Sequence, residues 1–152
     1  MYRSILALGL GLLISTSCLA QQSLLGTYKL VSVTFDGKPR ESLGKSPHGY
    51  LIITPKHLSI FYTGDKRKFG TSDSEKAALW DTLLALAGPY RIEGKKIVIS
   101  VDVSYNEIAN GRPLARTWQM QGRQLTLTGD PQSFGRDPSK TVVIEQKWER
   151  IE

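Results

Sequence analysis

Hydrophobic and polar residues alternate over most of the chain after residue 25, which is the periodicity of half-buried β-strands. Clusters of glycine, proline, asparagine and aspartate interrupt the alternation and indicate turns. Two of these turns are short enough to join their flanking strands as β-hairpins. The predicted strands are residues 26–35, 48–54, 57–63, 90–93, 95–104, 114–121, 124–128 and 141–150.

One segment departs from this alternation and predicts a helix over about residues 73–87. Ser72-Asp73-Ser74-Glu75 is a capping-box sequence, which is typical of a helix N-terminus. Gly88-Pro89 would end the helix. Docked over a barrel mouth, such a helix is a lid, and docked on a barrel wall it is a brace; the pattern favours neither. The residues that would share its apolar face are Trp80, Leu83, Leu84 and Ala87.

Eight sequential strands predict an all-β fold, an eight-stranded antiparallel barrel with one inserted α-helix. A closed barrel of this size holds either packed side chains or one small ligand. On segment 95–104, Ile97, Ile99, Val101 and Val103 share one face, which we place inside the barrel. A polar-lined interior would reverse this assignment, so both orientations stay open.

The first twenty residues do not follow the strand pattern. A positive charge at Arg3 precedes an apolar run, Ile5 to Ile14, that is too short to cross a bilayer. Small residues at −3 and −1 predict cleavage between Ala20 and Gln21. We therefore predict a signal peptide over residues 1–20 and an exported protein, periplasmic or secreted.

Two alternatives to cleavage after Ala20 remain for this leader. One is an N-terminal membrane anchor, and the other is a lipoprotein whose lipidated Cys18 starts the mature chain. Ser15 stands where a lipidation site prefers leucine. In every case residues 21–152 form one domain.

The amino-acid composition argues against several classes of function. The net charge is +6, but the basic clusters Lys66–Lys68 and Lys95–Lys96 fall at predicted turns, and most aromatic residues lie within predicted strands. We therefore expect no nucleic acid partner. With two histidines, and a single cysteine in the leader, we expect no disulfide, metal or other cofactor. We also expect no membrane span and a monomer.

Several short stretches carry a resemblance to a known family over about residues 25–151. Their order and spacing resemble the lipocalin-like domain family, a branch of the calycin-type barrels. The resemblance implies a barrel fold and often a small ligand. It departs at Tyr28, where the family usually has tryptophan, and on the strand around Ile99, where several relatives carry a histidine. The matching stretches are Gly26–Ser32, Pro47–Pro55, Ala87–Ile92, Arg116–Trp118 followed by Gly122 and Leu125–Leu127, and Trp148–Arg150.

The resemblance also implies a role for Arg150. In lipocalin-type barrels, an arginine of the last strand lies across the aromatic ring of the first strand and closes one barrel end. The resemblance implies that these residues are Arg150 and Tyr28 here, and we expect cation–π and hydrogen-bond contacts to join them. The alternative is an ordinary surface arginine.

Strand parity predicts a charged residue inside the barrel. Arg116 shares a face with Trp118 and Met120, so we expect it to point inward near a barrel mouth. A buried arginine needs an acceptor. That acceptor is either an internal acid, Asp102 or Glu107, or the carboxylate or phosphate of a ligand.

These observations support three functional hypotheses, and the sequence does not decide whether the protein is an enzyme. The main one is an exported barrel that binds a small, partly apolar ligand, with or without an anionic group. The second is a cofactor-free isomerase or cyclase that uses Tyr50, Asp102 or Arg116. The third is a structural or inhibitory periplasmic module with a filled core. The residues predicted to bind the ligand are Arg116, Trp118, Tyr50, Tyr62, Tyr90 and Trp80, and for each aromatic residue ordinary core packing is the alternative.

Overall fold

A closed antiparallel β-barrel dominates the computed structural model, which describes residues 23–133 and 141–152. The strands are β1 (Gly26–Phe35), β2 (Lys38–Pro39), β3 (His48–Ile53), β4 (His57–Thr63), β5 (Leu83–Glu93), β6 (Lys96–Ser100), β7 (Val103–Ser104), β8 (Pro113–Gln121), β9 (Gln124–Gly129), β10 (Gln132–Ser133), β11 (Thr141–Val142) and β12 (Ile144–Arg150). The helices are α1 (Asp73–Trp80) and the short 3-10 turns Glu41–Leu43 and Glu107–Ala109.

Eight of these strands form the barrel wall, in the order β1, β3, β4, β5, β6, β8, β9 and β12, and pairing of β12 with β1 closes it. Each wall strand pairs in antiparallel fashion with the next wall strand of the chain, whether a short turn or a long connection joins them. The predicted all-β fold, an eight-stranded barrel with one helix, is confirmed.

The helix is shorter than the sequence pattern predicts. The capping box is present: Ser72 accepts from the Glu75 backbone N–H, and the Glu75 carboxylate accepts from that of Ser72. However, α1 ends at Trp80, and residues 83–89 pair with β4 over its whole length. The predicted end at residue 87 was therefore wrong. Alternate residues of this segment face the barrel interior, and the hydrogen bonds to β4 outweigh the local helical pattern.

The barrel interior is the hydrophobic core, and strand parity predicts which residues fill it. On β12, Ile144, Gln146 and Trp148 are buried. Ile97, Ile99 and Val101 are also buried, so the apolar face of this segment points inward as far as Val101, as one of the two predicted orientations has it. Val103 is 60% exposed, so its predicted inward position was wrong. The predicted strand over residues 95–104 is interrupted after Ser100, and its end pairs with β5 as β7.

The predicted leader, its cleavage site and Cys18 lie outside the described residues. Within residues 23–133 and 141–152, no helix has the length and apolar character needed to cross a membrane.

Candidate functional site

The two ends of the barrel are built differently. One end carries the tight turns after β3, β5 and β8. The other end carries the long connections after β1, β4 and β6, including α1. This second end, which we call the open end, contains a cavity of about 430 Å³. Most of its lining is apolar, including Phe35, Leu84, Leu86, Val101, Leu114 and Ile144.

Arg116 lies in the wall of this cavity and is only 5% exposed. Its position on β8 places it beside Ile97 of β6 and Gly129 of β9. Its Nη1 donates to the Ala115 carbonyl at 3.0 Å. Burial lowers the pKa of its guanidinium, because a charge removed from water is destabilised.

No carboxylate of the described residues lies within ion-pairing distance of Arg116. Asp102 is exposed, and the Glu107 carboxylate accepts from Asn110 Nδ2 at 2.7 Å. Asp130 raises the pKa of Arg116 slightly from a distance, but its own carboxylate pairs with Lys96 at 3.0 Å. The two internal acids predicted from the sequence are therefore not partners of Arg116.

Gly129 gives the Arg116 side chain its space. A Cβ at this position would lie 3.0 Å from Nη1 and 3.2 Å from Cζ of Arg116. Such contacts are tighter than those of ordinary packing, so an alanine here would push the guanidinium aside. The position of the charge in the wall thus depends on a residue of the neighbouring strand.

Tyr62 is 3% exposed and also lines the cavity. Burial raises the pKa of its hydroxyl, while the neighbouring Gln146 amide and the charges of Arg40 and Arg116 oppose this rise. The Gln146 side-chain oxygen is itself buried without a hydrogen-bond partner among the described residues. Polar groups from β4, β8 and β12 thus meet inside the barrel near the cavity.

Two further arginines of the cavity come from loops, where strand parity makes no prediction. Arg40 follows β2 and lies over the Phe35 ring, with 5.0 Å between its Cζ and the ring centroid. Arg112 immediately precedes β8. With Arg116, they give the described lining three cations and no carboxylate. Each of these two arginines is next to a proline in the sequence, which predicts a loop. No local sequence signal indicates that either one lines a cavity.

The six residues predicted to bind a ligand are dispersed in the structure. Arg116 and Tyr62 line the cavity. Tyr50 is 42% exposed on the outer wall, where it contacts Phe61, so its predicted place in the pocket was wrong. Its position alternates with that of buried Leu51.

The other three predicted residues do not line the cavity. Trp118 and Tyr90 pack against the hydrophobic core. The Tyr90 hydroxyl donates to the Thr54 carbonyl at 2.9 Å, next to the β3–β4 turn. Trp80, at the end of α1, is 54% exposed and lies 5.4 Å from the ring of Tyr105, which lines the cavity. The helix therefore lies at the cavity rim, and none of its residues is buried.

At the opposite end, Arg150 contacts Tyr28. Its Cζ lies 5.2 Å from the ring centroid, and its Nη2 donates to the Tyr28 hydroxyl at 2.6 Å. That hydroxyl donates to the Leu24 carbonyl at 2.8 Å, and Arg150 also donates to the Ser23 carbonyl. Tyr28 is fully buried. This network links the first and last barrel strands to the segment that precedes β1.

The lining determines what the cavity can do chemically. Arginine guanidinium groups donate hydrogen bonds to carboxylates and phosphates and polarise carbonyl oxygens. Among the described lining residues there is no carboxylate, histidine or cysteine to take up a proton near neutral pH. Tyr50 and Asp102, two groups considered for proton transfer, do not line it. Binding of an anion fits this set of residues better than acid–base chemistry.

Comparison with known proteins agrees with the architecture. A family described as lipocalin-like domain matches residues 25–151 of the chain. No curated protein matches the sequence.

Proposed function

Since the chain belongs to the lipocalin-like domain family, we propose that it is an exported barrel that binds a small amphipathic anion in its open-end cavity. The observation that carries this proposal is Arg116, a buried cation without a carboxylate partner among the described residues. An unpaired buried charge is costly, and a ligand carboxylate, sulfonate or phosphate would offset that cost.

The rest of the lining supports the same class of ligand. A volume of about 430 Å³ lies within the range typical of small-molecule sites. Apolar side chains from several strands would contact the hydrocarbon part of the ligand, and Arg40 and Arg112 add positive charge at the loops. The size of the cavity supports a binding barrel over a module with a filled core.

The first experiment uses 1-anilinonaphthalene-8-sulfonate, a fluorescent aromatic anion, as the probe. We expect saturable binding to the wild type and a loss of affinity of about tenfold or more in Arg116→Leu, because charged hydrogen bonds are removed. Arg91→Leu is the matched control, since Arg91 is an exposed arginine paired with Glu93 on the outer wall. Its affinity for the probe should equal that of the wild type.

Two outcomes would overturn the proposal. One is equal loss of probe binding in both variants, which would indicate a general effect of net charge. The other is full affinity in Arg116→Leu. Native mass spectrometry of the purified protein then identifies a bound natural ligand by its extra mass. Incubation of that compound with the protein distinguishes binding from the isomerase or cyclase alternative, in which the compound is converted.

A further inference from the structure

The connection between β4 and α1 carries the most exposed large hydrophobic side chain of the described residues. Phe69 is 91% exposed, whereas phenylalanine is usually buried. It directly follows Lys66, Arg67 and Lys68. We call these four residues the basic tip. The proposed ligand site does not use them.

The basic tip lies at the open end of the barrel. Arg67 Nη2 donates to the carbonyl of Leu79 at 3.1 Å, so the tip is attached to the end of α1. The next residue, Trp80, is half exposed and contacts the cavity-lining Tyr105. Ile108, which also lines the cavity, is 68% exposed. Exposed apolar side chains therefore lie both on the tip and at the mouth of the cavity.

The acidic groups nearest to the tip in the chain already have partners. The Asp65 carboxylate accepts from the backbone N–H groups of Lys45 and Ser46. Asp73 pairs with Lys76 at 3.4 Å, and Glu75 accepts from Thr71 and Ser72 at the helix start. Among the residues that the structure describes, no carboxylate forms an ion pair with Lys66 or Lys68. The positive charge of the tip is thus directed to solvent.

We propose that the basic tip docks the open end of the barrel onto an anionic lipid bilayer, with Phe69 inserted among the headgroups. Transfer of an aromatic ring from water to the interfacial region of a bilayer lowers its free energy. Each flanking cation attracted by an anionic surface strengthens partitioning by about fivefold. In this orientation the cavity mouth faces the membrane. The docking itself depends on no cavity ligand.

The test is flotation of the protein with vesicles of phosphatidylcholine and phosphatidylglycerol, compared with phosphatidylcholine alone. Every variant is used in the same processed form, with its N-terminus determined by mass spectrometry. The charge variant is Lys66→Glu/Lys68→Glu. Its matched control is Lys56→Glu/Lys95→Glu, which makes the same change in net charge at exposed turns of the opposite barrel end. Phe69→Ser is paired with Phe61→Ser, since Phe61 is 40% exposed on the barrel wall.

We expect the wild type to bind anionic vesicles and to dissociate in about 0.5 M salt, where exposed charges are screened. Lys66→Glu/Lys68→Glu and Phe69→Ser should each lower the partition coefficient about tenfold or more, and both controls should bind as the wild type does.

Three results would overturn the proposal: equal binding to neutral vesicles, equal loss in variant and control, or no binding to any vesicle. Binding to immobilised polyglutamate in place of vesicles would also overturn it and would assign the tip to an acidic polypeptide.

Discussion

Gly129 faces Arg116 across the pairing of β8 with β9, and the guanidinium occupies the space that a side chain at residue 129 would need. The missing Cβ would be 3.0 Å from Arg116 Nη1. The position of the Arg116 charge in the candidate site therefore depends on the absence of a side chain at Gly129.

Gly129→Ala should weaken binding of the anionic probe without unfolding the protein. The new methyl group displaces the guanidinium by a few tenths of an ångström, and charged hydrogen bonds lose strength as their geometry worsens. We expect roughly a threefold to tenfold loss of affinity, measured by fluorescence titration. In the Arg116→Leu background the same substitution should change nothing further. An equal loss of probe affinity in both backgrounds would show that Gly129 does not act through Arg116.

Arg116→Met should stabilise the folded protein while it weakens anion binding. The guanidinium is buried, its pKa is lowered by burial, and no described carboxylate forms an ion pair with it. Replacing such a charge by an apolar side chain of similar length stabilises by about 1 to 2 kcal/mol. Urea unfolding measures this gain in the ligand-free protein. A loss of about 3 kcal/mol or more would instead assign Arg116 to an ion pair within the protein.

Tyr28→Phe and Arg150→Leu should each destabilise the barrel, and their effects should not add. Both remove the bond from Arg150 Nη2 to the Tyr28 hydroxyl, and Tyr28→Phe also leaves the Leu24 carbonyl without its donor. We expect a loss of about 1 to 3 kcal/mol in each single variant and a coupling energy near 1 kcal/mol in the double variant. Tyr90→Phe, which removes a hydroxyl bonded to Thr54, is the control and should add independently to Arg150→Leu.

Ionisation of Tyr62 should lower the free energy of unfolding of the protein in alkaline solution. Burial raises its pKa above 10.0, so the folded protein keeps a proton that the unfolded chain loses. This contribution is fully present below about pH 10 and is lost as the pH rises through the folded pKa. Urea unfolding between about pH 9 and pH 11 should therefore show a shallower decline for Tyr62→Phe than for the wild type. An unchanged decline would place Tyr62 in a more hydrated environment.

Tyr28 also has a raised pKa, because its burial outweighs the contacts with Arg150. It therefore leaves part of the alkaline decline in the Tyr62→Phe variant. The double variant with Tyr28→Phe should show the smallest decline of all.

Residues 83–89 show why part of the fold could not be predicted from the sequence. Leu83, Leu84 and Ala87 fit a helical face, but Leu84, Leu86 and Gly88 fit the alternation of a strand equally well. Pairing with β4 decides between the two patterns, and each pairing partner lies at least twenty residues earlier in the chain.

Arg116 and Arg40 show the same contrast within the candidate site. Arg116 was predictable because parity on β8 relates it to Trp118 and Met120, which also pack toward the core. Arg40 belongs to a loop, and its place in the cavity depends on how that loop returns over Phe35. Tyr50 was mispredicted because an aromatic residue suits both faces of a strand, and the register with Leu51 buried places it outside.

The sequence by itself determined most of the barrel strands, the helix start and the inward position of Arg116, because alternation, turn residues and capping are properties of a few neighbouring residues. Only the tertiary structure decided where the helix ends, which barrel end is open and which loop cations meet there. These features depend on contacts between segments far apart in the chain, whose free energies no local pattern contains.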